Sequence, residues 1–304
     1  MRALVTGSGG FVGRYLCAEL AENGWQVTGL RRDGGDGALR CDLRDASATV
    51  KAVEAAAPEV IFHLAGQASV ALSWKKPQET IEDNVLAAAN LLEAIRTAAP
   101  EAKTVIVGSS DIYGRLGERG KSVSEATPTE AQTPYAVSKR AQEELALLYA
   151  RSYGLRLCVT RSFNHGGAYQ KEGFLLSDFC AGIARVEKGL QSALRVGNLS
   201  SARDFTHVRD IVRAYRLLAE NGRDGEVYNV GSGTAYAVRE ILDRLCAMAR
   251  CPIPVERDAA RLRPSDTPVI CCDHTKLTAD TGWMPRLGLE EILSDTLEYW
   301  RGAV

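Results

Sequence analysis

The stretch Leu4-Val5-Thr6-Gly7-Ser8-Gly9-Gly10-Phe11-Val12-Gly13 decides how the rest of the chain is read. A short apolar run ends in a glycine turn, and Val12, Leu16 and Leu20 then recur at i, i+4 and i+8, the spacing of one helix face. Strand, glycine turn and helix in that order give a TGxxGxxG string its meaning. Gly7 permits the tight turn, Gly10 admits a pyrophosphate close to the backbone, and Gly13 lets the helix settle on the strand. The first-turn amides of Phe11, Val12 and Gly13, with the partial positive charge of the helix end, offer an anion site.

Apolar, β-branched runs at ALVT, WQVTGL, VIFHLA, TVIVGSS and LRLCVTRS alternate with helical patterns through the first half. That is the rhythm of parallel strands joined by crossover helices. The expected fold is α/β, a Rossmann-type doubly wound parallel sheet, with residues 1–165 mainly forming a dinucleotide-binding domain. Beyond residue 165 the rhythm weakens. Residues 166–304 are expected to make a smaller, discontinuous substrate-binding region, with some segments returning to the Rossmann domain.

Composition excludes several roles. The 304 residues suffice for a substantial core, and 37 Lys plus Arg nearly balance 38 Asp plus Glu, so no net field recruits nucleic acid or an anionic membrane. No apolar run approaches a membrane span and the opening residues leave no room for a signal peptide, so a cytoplasmic protein is expected. The eight cysteines form no CxxC pair and are expected as reduced thiols; the four histidines lie far apart, so no metal site is expected.

At the end of the second strand stand Arg31 and Arg32. An acidic residue there holds the ribose 2′-hydroxyl of NAD, whereas an arginine fork suits the 2′-phosphate of NADP, so NADP(H) is the favoured cofactor. Asp42 and Leu43 in CDLRD, and Leu64, Ala65 and Gly66 in the HLAG turn, are candidates to line the adenine and ribose. The fourth strand runs into Ser109, and TPYAVSK follows, placing Tyr135 and Lys139 four apart on one helix face. The ammonium of Lys139 is expected to favour the phenolate and lower the pKa of Tyr135, while Ser109 hydrogen-bonds the reacting oxygen.

The glycine turn, DLRD, HLAG, the strand-end serine and YxxxK together resemble the extended short-chain dehydrogenase/reductase family of nucleotide-sugar enzymes, over essentially the whole chain. FNH (163–165), RDFTHVRD (203–210) and LRPSD (262–266) point within it to a reductase branch. The resemblance implies NADPH-dependent reduction of the C4 keto group of GDP-4-keto-6-deoxy-D-mannose to a GDP-6-deoxyhexose of the D-rhamnose type. In that scheme Ser109, Tyr135 and Lys139 are catalytic, with Tyr135 and Lys139 also touching the cofactor. Ser110, Asp111, Asn164, Arg203, Arg263 and Asp266 then bind the nucleotide sugar, and the chain forms a homodimer through two helices per subunit, one of them the YxxxK helix with its alanines. Alternatives are a GDP-mannose 4,6-dehydratase, to which Asp111 would lend a carboxylate, a 4-epimerase, and a non-catalytic NADP-binding sensor. Arg203 and Arg263 have a second reading, as ion pairs with Asp204 and Asp266. The segment FNHGGAYQ lacks a proline expected nearby, which leaves open the path of the loop after Asn164.

Overall fold

A computed structural model describes residues 1–117, 122–258 and 269–304. Among the described residues, ten strands occur in the first 230 positions: β1 Arg2–Thr6, β2 Gln26–Arg31, β3 Leu39–Arg40, β4 Val60–His63, β5 Lys103–Val107, β6 Leu157–Ser162, β7 Asn164–Gly166, β8 Leu194–Val196, β9 Ala202–His207 and β10 Val227–Val230. Seven of them form one sheet in the order β10-β6-β5-β4-β1-β2-β3, and every pairing in it is parallel. The order reverses between β1 and β4, so a crevice opens at their carboxyl ends, where open α/β sheets bind ligands.

The helices divide between two faces because strand side chains alternate. Ala3 and Val5 of β1, with Phe62, Val105 and Cys158, pack under α1 (Phe11–Glu22) and under Ile211, Val212, Tyr215 and Leu218. Leu4, with Ile61, Ile106, Leu157 and Val159, faces the opposite layer, which includes Val53 of α2 (Ala46–Ala56). Two short helices follow, α3 Val70–Lys75 and α4 Pro77–Ile81, and a π-helical turn at Glu82–Leu86 leads into α5 (Ala87–Ala98). The YxxxK helix, α6, spans Pro134–Tyr153; Thr133 caps it by accepting the Ala136 amide at 3.0 Å, and left-handed Gly154 closes it.

Beyond β6 come α7 (Leu175–Glu187), α8 (Val208–Asn221), β11 (Ala235–Ala237), α9 (Val238–Ala247), β12 (Val255–Arg257), β13 (Val269–Ile270), α10 (Thr275–Thr281) and α11 (Leu289–Ala303). A second sheet is built on β9, which pairs β7, β11 and β13, while β8 pairs β12. A separate apolar core joins α7, α9 and α11 to β8 and β9. Three elements from this half return to the first: α8 covers the α1 face, Leu277 of α10 packs into the same core, and β10 completes the sheet beside β6. No described helix is long and apolar enough to cross a membrane.

Candidate active site

The glycine turn is shaped by close approach. Gly7 adopts a left-handed φ of +71°, and a Cβ on Gly13 would sit 2.2 Å from the Gly7 carbonyl oxygen, so both positions exclude larger residues. Helix α1 begins after the exposed Gly10 with no side-chain cap, which leaves the amides of its first turn, Phe11 to Gly13, to an incoming anion. The HLAG turn lies against it: Thr6 Oγ1 accepts the Ala65 amide at 3.1 Å and meets His63 Nδ1 at 2.9 Å. His63 is wholly buried, and burial first, then the charge of Lys139, pushes its pKa down to about 3. The ring is neutral at any working pH.

Arg31 lies across the glycine turn, since a Cβ on Gly9 would fall 2.6 Å from its Nε. Its guanidinium forks onto Asp33 at 2.8 Å and reaches Asp36 at 2.5 Å. Arg32 is more exposed and pairs with Asp83 at 3.0 Å. Asp42 is held to about 2 by Arg44, which binds both of its oxygens, and Leu43 is buried beneath. Both predicted phosphate-reading arginines thus lie at this rim, each on an aspartate. A phosphate is a chemically matched substitute for a carboxylate in an arginine fork. Amides at the turn and exchangeable arginines at the rim fit a phosphorylated dinucleotide.

Ser109, Tyr135 and Lys139 converge at the carboxyl end of β5, all three more than nine-tenths buried. Ser109 lies beside Tyr135, where its hydroxyl acts to lower the phenol's pKa, and its Oγ accepts the Asp111 amide at 3.2 Å. Lys139 Nζ donates to Val107 O and to Gln142 Oε1, each at 2.9 Å. The expected drop in the Tyr135 pKa is reversed. Burial raises it, nearby Asp111 raises it further, and Ser109 only partly opposes them. Lys139 is itself pushed down to about 8 by burial, and its ammonium is taken up by Val107 and Gln142. In this low-dielectric wall the cost of charge outweighs the attraction between neighbours on the helix.

Three supporting groups escaped sequence reading. Asn84, in the π-helical turn, donates to Ser138 Oγ and to Gln67 O and accepts the Gln67 amide, tying the segment after HLAG to α6. Ser138 Oγ in turn donates to the Tyr135 carbonyl at 2.7 Å. Arg161 on β6 makes a buried two-point pair with Glu143, eight residues beyond Tyr135, and also donates to Tyr113 Oη. These contacts fix the pitch and roll of α6. Only the two-turn spacing of Tyr135, Lys139 and Glu143 hinted at them.

On the substrate side, Ser110 is buried and Asp111 half-buried in a 3₁₀ turn, and Asn164 opens β7. The loop left open by the sequence passes through Gly167 and a left-handed Tyr169, held by the Arg14 guanidinium 4.8 Å over its ring. Arg203 lies on β9, half-buried, donating to the Ala202 carbonyl at 2.8 Å. Asp204 points to the other face, where its oxygens accept amides of Ser232, Gly233 and Cys272 and the Ser232 hydroxyl. Arg263 and Asp266 lie outside the described residues. Of the alanines on α6, Ala136 and Ala146 are buried and Ala141 and Ala150 half-buried, while Val137, Leu148 and Tyr153 are its exposed large apolar side chains.

This architecture has known counterparts. The family described as GDP-mannose 4,6 dehydratase matches residues 4–296. The chain belongs to that family. Its members share the extended short-chain dehydrogenase/reductase fold seen here, and they are nucleotide-sugar dehydratases and oxidoreductases. Among relatives of this family member, the GDP-6-deoxy-D-mannose reductase of Pseudomonas aeruginosa is 33% identical over 306 residues, spanning 100% of this chain and 98% of that protein. The solved structure of RMD from Pseudomonas aeruginosa complexed with NADPH superposes with a TM-score of 0.91 at 31% identity, covering 100% of both chains. A UDP-glucose 4-epimerase from Thermus thermophilus, in complex with NAD, gives 0.89 at 30% identity, again over 100% of both.

Proposed function

We propose that this chain reduces the C4 keto group of GDP-4-keto-6-deoxy-D-mannose with NADPH, giving a GDP-6-deoxyhexose of the D-rhamnose type. The observation that carries the reading is the burial of Ser109, Tyr135 and Lys139 together in one wall at the carboxyl end of β5, where Lys139 Nζ donates to Val107 O. The raised pKa keeps Tyr135 a neutral phenol, the form that reduction consumes when a proton passes from Oη to the C4 oxygen. Ser109 bonds the same oxygen and steadies the negative charge that grows on it. Lys139 sits one turn on, where its ammonium favours the phenolate left behind.

NADP(H), when bound, supplies the hydride. Phe11, Val12 and Gly13 offer their amides to its diphosphate, and Arg31 or Arg32 releases an aspartate to take the 2′-phosphate. Leu43, Leu64, Ala65 and Gly66, with Asp42, border the adenine and ribose. Asn164, Arg203, Ser110 and Asp111 serve the sugar and its diphosphate, and the family resemblance assigns Arg263 and Asp266 to the same task. On this reading residues 1–165 mainly hold the dinucleotide and 166–304 mainly the substrate.

A homodimer accords with Val137 and Leu148, 49% and 47% exposed on α6, and with Leu86, 44% exposed at the start of α5. A cytoplasmic setting accords with eight unpaired thiols.

The dehydratase is the second reading, favoured by Asp111, whose charge acts on Tyr135 from the next turn. The deciding experiment offers purified protein GDP-4-keto-6-deoxy-mannose with NADPH or NADH and identifies the sugar product. Stoichiometric loss of NADPH with a GDP-6-deoxyhexose supports the reductase. No consumption, but conversion of GDP-mannose to the keto-sugar or an epimer, transfers the assignment to the dehydratase or epimerase branch.

A further inference from the structure

Gln142 follows Lys139 by three residues on the sheet-facing side of α6, and it is 1% exposed. Its Oε1 accepts from Lys139 Nζ at 2.9 Å, and Val107 O takes a second ammonium proton at the same distance. Its Nε2 is enclosed and makes no hydrogen bond among the described residues. A buried amide with one end unsatisfied is a costly choice where an aliphatic side chain would pack without penalty. Turning the amide over gives no relief, because its NH₂ would then face an ammonium, donor against donor. The compensation for that orphaned donor lies at the lysine.

We propose that Gln142 is a positioning residue, its Oε1 forming with Val107 O a two-point cradle that fixes the Lys139 ammonium at the end of β5 and keeps it protonated. The proposal rests on the reading of Lys139 as part of the reductase site. Burial works against the charge, whereas two carbonyl oxygens aimed at the ammonium favour it. The ionisable groups around the lysine do not take over that task. His63 from β4 is neutral, and Tyr135 on the same helix is a phenol that Asp111 and Tyr215 of α8 act upon. Glu143 is committed to Arg161 from β6. Among the described residues no carboxylate reaches Nζ, so neutral acceptors do the holding.

The test follows Lys139 directly, by NMR titration of protein carrying lysine labelled with ¹³C at Cε, the resonance assigned with Lys139→Arg. Without substrate or dinucleotide, Gln142→Leu is expected to lower the Lys139 midpoint by about one pH unit, and Gln142→Glu to raise it at least as far. In NADPH-dependent turnover the alkaline limb of kcat should move in the same directions, with the keto-sugar KM changed less than about twofold. A folded Gln142→Leu protein whose Lys139 midpoint stays within about 0.2 pH units of wild type overturns the proposal. Should the leucine variant fail to fold, Gln142→Glu decides alone: a raised midpoint supports the cradle and an unmoved one overturns it. Absence of keto-sugar reduction by the wild type would sink the reductase reading, yet the titration would still decide what holds Lys139.

Discussion

The wall that carries Tyr135 and Lys139 and the rim that carries Arg31 and Arg32 face the same edge of the sheet and are built in opposite ways. In the wall, polar groups are enclosed, Lys139 on Val107 and Gln142, His63 on Thr6 and Asn84 on Ser138, and the charges that occur, Arg161 and Glu143, are paired away from water. At the rim charge meets charge near water: Arg31 with Asp33 and Asp36, Arg32 with Asp83, Arg44 with Asp42. Exposed ion pairs contribute little and re-pair readily, whereas a buried hydrogen bond left half-made is expensive. The reacting geometry is therefore a property of the folded core. On the proposed reading the choice of dinucleotide is a property of the surface, adjustable without disturbing it.

The most severe way to break this contrast is Tyr135→Phe. Turnover should fall by about a thousandfold or more while NADPH affinity, measured by fluorescence titration, stays within about threefold. Loss of both together would mean that wall and rim cannot be separated.

Next is Glu143→Gln, which leaves the Arg161 guanidinium buried without its counter-charge and should cost about 3 kcal/mol in a urea melt. The rim counterpart, Asp33→Asn, should not shift that melt measurably; comparable losses from both would erase the distinction. Arg31→Ala should raise the KM for NADPH about tenfold and leave that for NADH nearly unchanged, narrowing the cofactor preference. An equal rise for both coenzymes would instead make Arg31 a structural clamp on the glycine turn.

His63 sharpens the wall side. Its folded pKa lies near 3, below the ordinary histidine value, because burial excludes the charged ring. The stability this permits is complete above about pH 6.5, and it is lost as pH falls toward 3, since the unfolded chain takes up a proton that the fold refuses. Wild-type stability should therefore decline below about pH 6.5 more steeply than that of His63→Gln, by up to about 1.4 kcal/mol per pH unit. Parallel slopes would show that the ring is protonated in the folded protein. The smallest effect belongs to Asp33→Asn, which removes a competitor of the 2′-phosphate and should tighten NADPH binding about threefold, by the same titration.

The parts of the molecule readable from sequence are those whose cause is local. A glycine turn between strand and helix, β-branched runs at crossover spacing, and Pro134 and Gly154 bracketing α6 each announce themselves within a few residues. The meeting of Ser109, Tyr135 and Lys139 in one wall was readable for a similar reason, because Tyr135 and Lys139 share a helix face. Arg161 and Glu143 are 18 residues apart and meet only when β6 lies under α6. Asn84 reaches Ser138 across 54 residues from a helical turn that no propensity marks. The direction of the Tyr135 shift was misread because burial, the dominant cause, is a property of the finished core.

Every residue of β6 is buried, and β10, made 65 residues later, is the strand that shields its outer side. A ribosome that has just released Ser162 has therefore delivered the glycine turn and the YxxxK helix but left a hydrophobic strand with unpaired amides facing water. Until Val230 emerges, the nascent sheet is an open template for any other extended chain. Fragments ending between these points should be poor catalysts and, more tellingly, clients for chaperones.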